Sequence, residues 1–169
     1  MREKDLFERL AAAEADLPSL LEDDGWQSLR IDYERPFVER LWRPWGDGRL
    51  SLHAIHPCAP EQALYHPHPW PSAMRLKERG YRMRVGFGPG LVPPPVATEL
   101  VLPPETVYAM ADIDGWHVVI PEGGIAYTVM VTGMPWGRAA PKRVPPLNPL
   151  SPERIDELLR VFRGYYPQR

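Results

Sequence analysis

The chain has 169 residues, 44% hydrophobic and 25% charged, and a net charge of −2. That is the balance of one globular domain with a core of its own, and it excludes the concentrated basic stripe of a nucleic-acid binder. A single cysteine, Cys58, excludes an intrachain disulfide; it fits a reducing, cytoplasmic setting.

The N-terminal residues mix charges and lack the apolar stretch of a signal peptide, and no apolar run is long enough to span a bilayer. Neither a membrane nor a nucleic acid is expected as a partner. The densest basic stretch is Arg75, Lys77, Arg79, Arg82 and Arg84, but Glu78 breaks it and the spacing is that of strand faces. Proline is the compositional outlier, with 22 in the chain. Barred from helix interiors and central strands, so many prolines imply short elements joined by rigid loops. Clusters at Pro67-Pro69-Pro71, Pro93-Pro94-Pro95, Pro103-Pro104 and Pro145-Pro146-Pro149 are spread evenly, as punctuation inside one domain.

In chain order, residues 5 to 23 read as a helix, with Leu6, Leu10, Ala13 and Leu17 at helical spacing and an interruption at Pro18. Short strands follow at 28–33 and 37–42, then a turn over 42–48 and a strand at 50–55. Candidate strands continue at 65–68, 73–77 and 81–87. The last alternates cleanly, with Tyr81, Met83, Val85 and Phe87 on one face and Arg82 and Arg84 on the other. Four more are expected at 96–102, 106–110, 116–120 and 125–131, divided by Pro103-Pro104, Asp114-Gly115 and Glu122-Gly123-Gly124. This series predicts an antiparallel barrel or sandwich. Ser151-Pro152 opens a closing helix whose stripe is Ile155, Leu158, Leu159 and Phe162, with Gly164 as its stop.

The chain has five histidines. His66 and His68 are spaced so that an extended backbone aims both imidazoles to one side. His117 follows in Gly115-Trp116-His117, after a tight turn late in the β-rich run. Neutral imidazole is a common metal ligand, and two ligands from one strand with a third from a distant strand make a mononuclear metal site. Pro67 between the pair requires that this strand lie at a sheet edge. His53 and His56 read either as satisfied polar groups or as pocket wall. Cys58 reads as a partly buried thiol, and Asp112 and Asp114 as solvated turn residues, with the alternative that one of them orients His117. Gly86-Phe-Gly88-Pro-Gly90 is followed by prolines instead of a helix and so is no phosphate loop; a Gly-x-Ser-x-Gly elbow is absent.

These residues resemble the cupin superfamily. His66 and His68 match the paired ligands of its first motif, Gly80 the closing glycine and His117 the histidine of the second. Ser72 stands where the usual glutamate ligand would be. That departure resembles the three-histidine branch, cysteine dioxygenase and its relatives, where the order His68, Ser72, Leu76, Gly80 recurs and Gly115-Trp-His117-Val matches a Gly-x-His stretch. The resemblance covers roughly residues 60 to 131. It breaks at Ala73, where animal enzymes carry a crosslinking cysteine, and near 128–132, where a histidine and a tyrosine are missing.

The resemblance implies an all-β, jelly-roll-like double-stranded barrel at about 28–135, flanked by an N-terminal helical extension at about 1–25 and a C-terminal helix at about 152–164, in one domain. It implies a divalent metal held by His66, His68 and His117, Fe(II) first, with Zn, Ni or Cu also suited to imidazoles. The expected function is a mononuclear non-haem iron dioxygenase or oxidoreductase acting on a small molecule, in a homodimer. The alternative is a non-catalytic cupin that binds a metal or metabolite as a sensor or structural module. Trp70, Ser72, Arg82, Arg84 and Trp116 are the candidate substrate-pocket residues, with Arg75 a further arginine that could reach the cavity.

Overall fold

The computed structural model describes residues 1–137 and 147–168; Pro145 and Pro146 of the last proline cluster lie outside them. Two helices flank ten strands in the order α1 (Glu3–Leu20), β1 (Gln27–Ile31), β2 (Val38–Trp45), β3 (Gly48–Ile55), β4 (His66–Pro67), β5 (Ser72–Glu78), β6 (Tyr81–Phe87), β7 (Thr98–Leu102), β8 (Val107–Met110), β9 (Gly115–Pro121), β10 (Ala126–Thr132) and α2 (Pro152–Tyr165). The strands form a six-stranded sheet, β1-β2-β3-β10-β5-β8, and a four-stranded sheet, β4-β9-β6-β7. Every pairing between these strands is antiparallel.

Alternation divides the large sheet into two faces. Its outer face presents Leu41, Leu50, Leu52, Ala54, Ala73, Val129 and Val131, and these pack with Leu6, Leu10, Leu17, Leu158 and Phe162 of the two helices. The inner face turns toward the small sheet. At one end of that interior Ile55, Leu76 and Ala126 meet Tyr81, Met83, Val85 and Val119 in a second apolar cluster. The other end is polar and holds the histidines.

Three elements differ from the sequence expectation. Helix α1 runs through Pro18 without a break. The proline falls in the last turn, where it forfeits a single backbone hydrogen bond, and the fully buried Leu17 and Leu21 hold that turn, with the Leu21 amide donating to the Leu17 carbonyl at 2.9 Å. The expected turn over 42–48 is only Gly46-Asp47, because β2 and β3 stay paired out to Trp45 and Gly48. Gly46 supplies the left-handed conformation, φ +58°, that so tight a hairpin needs. Helix α2 begins as expected, with Ser151 accepting from the Arg154 amide, but it runs past Gly164 to Tyr165. Gly80 has a packing reason for its identity: a Cβ there would lie 2.2 Å from the Leu102 carbonyl oxygen.

Candidate metal centre

Strand β4 lies at the edge of the small sheet, and its two residues pair His66 with His117 and Pro67 with Trp116 of β9. An edge strand tolerates Pro67, which offers no N–H, and the extended chain carries His68 to the same side as His66. The three imidazoles converge. One ligand atom from each of His66, His68 and His117 lies within 4.8 Å of the others. Ring centroids are 4.9 Å apart for His66–His117, 4.4 Å for His68–His117 and 5.6 Å for His66–His68. His68 is 9% exposed and His117 3%.

Hydrogen bonds orient two of the rings and fix the tautomer of His66. The His66 Nδ1 lies 3.1 Å from the Leu64 carbonyl oxygen, which can only accept, so Nδ1 carries the proton and Nε2 keeps its lone pair. The His68 Nδ1 lies 3.0 Å from the Ser72 hydroxyl, which accepts its proton in the tautomer that leaves Nε2 free to ligate. In His117 the Nδ1 is buried with no hydrogen-bond partner among the described residues, the kind of orphaned ring nitrogen that a bound ion compensates. Burial pushes all three imidazoles below the ordinary histidine range, His68 to about 3. Neutral imidazole is the form that ligates. The donor set therefore fits a divalent metal.

Behind the triad lies a pair that sequence reasoning missed in part. Arg40 of β2 and His53 of β3 are register partners, and the Arg40 Nε donates to the His53 Nε2 at 2.8 Å. The His53 Nδ1 in turn lies 2.9 Å from the Thr128 hydroxyl of β10. With both nitrogens engaged, His53 is a satisfied polar group that anchors an arginine. Burial, reinforced by the positive field of Arg49, draws the Arg40 guanidinium down to about 10. Arg40 makes no ion pair among the described residues, and its field reaches both His66 and His68. Its sequence signal is weak, since an arginine between Glu39 and Leu41 has the pattern of any half-buried strand.

The other sequence candidates divide. Ser72, fully buried, orients His68. Trp70 is half-buried beside Arg49, whose guanidinium lies 5.9 Å from its ring. Trp116 sits on the opposite face of β9 from His117, with its indole N–H donating to the Gly88 carbonyl at 3.0 Å and its ring 5.7 Å from Tyr65. Arg82 and Arg84 face away from the interior, because Tyr81, Met83 and Val85 occupy the inner positions of β6. They pair instead with Glu122 and Glu99, at 2.7 Å and 2.6 Å. Arg75 is likewise on an outer face, 2.6 Å from Glu14 of α1. Asp112 does not reach His117: its carboxylate accepts the Asp114 amide at 2.8 Å in the preceding turn. His56 also points elsewhere, to Glu39 at 2.9 Å. Cys58 is a half-buried free thiol.

No family model matches the chain, and no curated protein matches it. Solved structures do. Hydroxypropylphosphonic acid epoxidase from S. wedmorenis aligns with 64% of this chain and 56% of its own, at 15% identity and a TM-score of 0.50. A structure of Fe(II) HppE aligns with 64% of this chain and 57% of its own, at 14% identity and a TM-score of 0.51. The alignment thus spans little more than half the length of those chains. At this identity the likeness is one of fold: an all-β cupin barrel with flanking helices. No described helix is long and apolar enough to cross a membrane.

Proposed function

We propose that this protein is a mononuclear non-haem iron oxygenase of the three-histidine kind, resembling cysteine dioxygenase-like proteins, and that it acts on a small anionic molecule. His66, His68 and His117 hold the metal and Arg40 binds the anion. The observation that carries this reading is the convergence of three neutral imidazoles beside a half-buried guanidinium that has no carboxylate partner among the described residues. Iron as the metal is supported by the fold shared with Fe(II) HppE. Bound Fe(II) would supply the electrons and the open coordination positions for a reaction between dioxygen and a substrate held beside it.

The chain's own residues supply the rest. Leu64 and Ser72 lock the imidazole orientations, which preserves the geometry of the cradle between turnovers. A set of three neutral ligands leaves the metal's charge uncompensated, and Arg40 adds to it, so the interior favours an anion over a neutral molecule. His53 and Thr128 hold Arg40 in place through contacts that carry no negative charge, so its remaining donors stay available for the ligand.

The test is elemental analysis of protein made without a histidine tag, followed by oxygen uptake against a panel of thiols, β-diketones and small carboxylic acids. About one iron per chain and uptake that disappears in His117→Ala support the proposal. Equal metal content in wild type and His117→Ala sinks it. A second reading, a metal-binding module without turnover, is favoured by one observation. The inner positions of β10 are Thr128, Met130 and Thr132, which give the site no titratable proton donor. Bound iron with no uptake on any panel member would select that reading.

A further inference from the structure

We infer that the ligand of this site is an elongated dianion, and that Arg49 with Trp42 forms a second anion-binding position at the mouth of the barrel. The inference deepens the proposed function, on which it rests for the first anionic position at Arg40.

Three positions on the inner face of the β2–β3 hairpin form a row. Arg40 stands opposite His53, Trp42 opposite Ser51 and Pro44 opposite Arg49. The row therefore runs from the half-buried Arg40 to the exposed side chain of Arg49, over four residues of strand, about 13 Å of backbone. The Arg49 guanidinium folds back over the Trp42 ring, so a ligand that touches both cations has to reach across that indole.

Arg49 is held without an acid. Its guanidinium lies 4.4 Å over the Trp42 ring and 5.9 Å from that of Trp70, and it makes no ion pair among the described residues. The arrangement contrasts with the half-buried arginines elsewhere in the fold. Arg9, Arg43, Arg75, Arg82, Arg84 and Arg154 each face a carboxylate. Arg40 and Arg49 instead press on each other, since the charge of Arg49 adds to burial in disfavouring protonated Arg40. Among the described residues, Glu34 is the acid whose field reaches His66. Two cations at one end of a barrel, above a triad of neutral ligands, constitute a field that a single carboxylate does not balance.

Trp42 supplies an independent observation. Its indole N–H is buried and has no hydrogen-bond partner among the described residues, on the strand face shared with Arg40. An orphaned donor between two arginines is satisfied by an acceptor oxygen of a ligand lying along the row. Arg49 stacked on that indole offers its planar fork to the same oxygens, a geometry suited to a carboxylate or phosphonate.

The experiment is calorimetric titration of iron-loaded protein under anaerobic conditions. The probes are the diacids succinate, glutarate and adipate and the monoacids butyrate, valerate and hexanoate. At least one diacid should bind 10-fold or more tightly than the monoacid of equal carbon number. Arg49→Gln should bring that diacid down to the affinity of the monoacid. Trp42→Phe, which keeps the stacking and removes the N–H, should weaken the diacid about 3-fold, with an unchanged circular dichroism spectrum. Equal binding of both series, or a diacid preference that survives Arg49→Gln, overturns the dianion. If that equal binding is lost in Arg40→Gln, the reading of Arg40 stands and only the second position falls. Failure of every acid to bind removes both.

Discussion

The two faces of the six-stranded sheet are built from the same strands, one residue out of phase, and they divide the molecule's work. The outer face is aliphatic and lies under α1 and α2, with Leu41, Leu50, Leu52, Val129 and Val131 at or near zero exposure. The inner face at the site end carries Arg40, His53, Ser72 and Thr128, all of them polar. Stability is concentrated where nothing reactive can reach, while the interior carries groups whose burial costs free energy. A single-residue slip of register would exchange the two sets, so the outer aliphatic face also fixes which side chains enter the site.

Perturbing each face separately should break the two apart. Phe162→Ala removes a fully buried ring from the helix layer and should cost about 3–5 kcal/mol by chemical denaturation. Protein that remains folded should still bind one metal per chain. His117→Ala should do the converse, with metal content falling at least 10-fold by elemental analysis and the denaturation midpoint of the metal-free protein close to that of wild type. A large loss of stability in His117→Ala would mean that the inner face also carries the fold.

Ser72→Ala sharpens the comparison within the inner face. It frees the His68 ring while leaving all three imidazoles in place, and metal affinity should fall by about 10- to 100-fold in a competition titration. The smallest effect belongs to the outer layer and is read through pH. Burial alone would raise the Glu39 carboxyl, but hydrogen bonds from Arg154 and His56 outweigh it and hold the carboxyl below its ordinary range. A carboxyl depressed in the folded state contributes stability above its unfolded value of about 4.3, and that contribution is lost as the pH falls through the folded value. Glu39→Gln should therefore be less stable than wild type at pH 7, and the gap should narrow below about pH 4.3. A gap that is constant with pH would show that the charge of Glu39 does not matter.

Much of the frame was legible in the chain itself. The alternation of Tyr81, Met83, Val85 and Phe87 gave the bounds of β6, and the spacing of His66 and His68 with the return of His117 named three rings that do meet. What the sequence hid was register. Arg82 and Arg84 looked available to a cavity while Arg40 drew no notice, yet each strand has two faces, and the packing of Val85 beside His117 turns the first two outward. Arg40 and Trp42 were obscured for the same reason: Trp42 read as part of a turn until pairing carried the hairpin out to Gly46. Pro18 misled in the other direction, because a proline signals a break wherever it falls, while its cost depends on how much helix remains beyond it.

The strand that bears His66 is only two residues long and lies on a sheet border, with Pro67 inside it, His68 directly after it, and Pro69 and Pro71 just beyond. A border of that kind gives a neighbouring molecule no row of amides to zip onto. The prolines thereby make this rim of the barrel a poor template for intermolecular strand addition beside the three histidines.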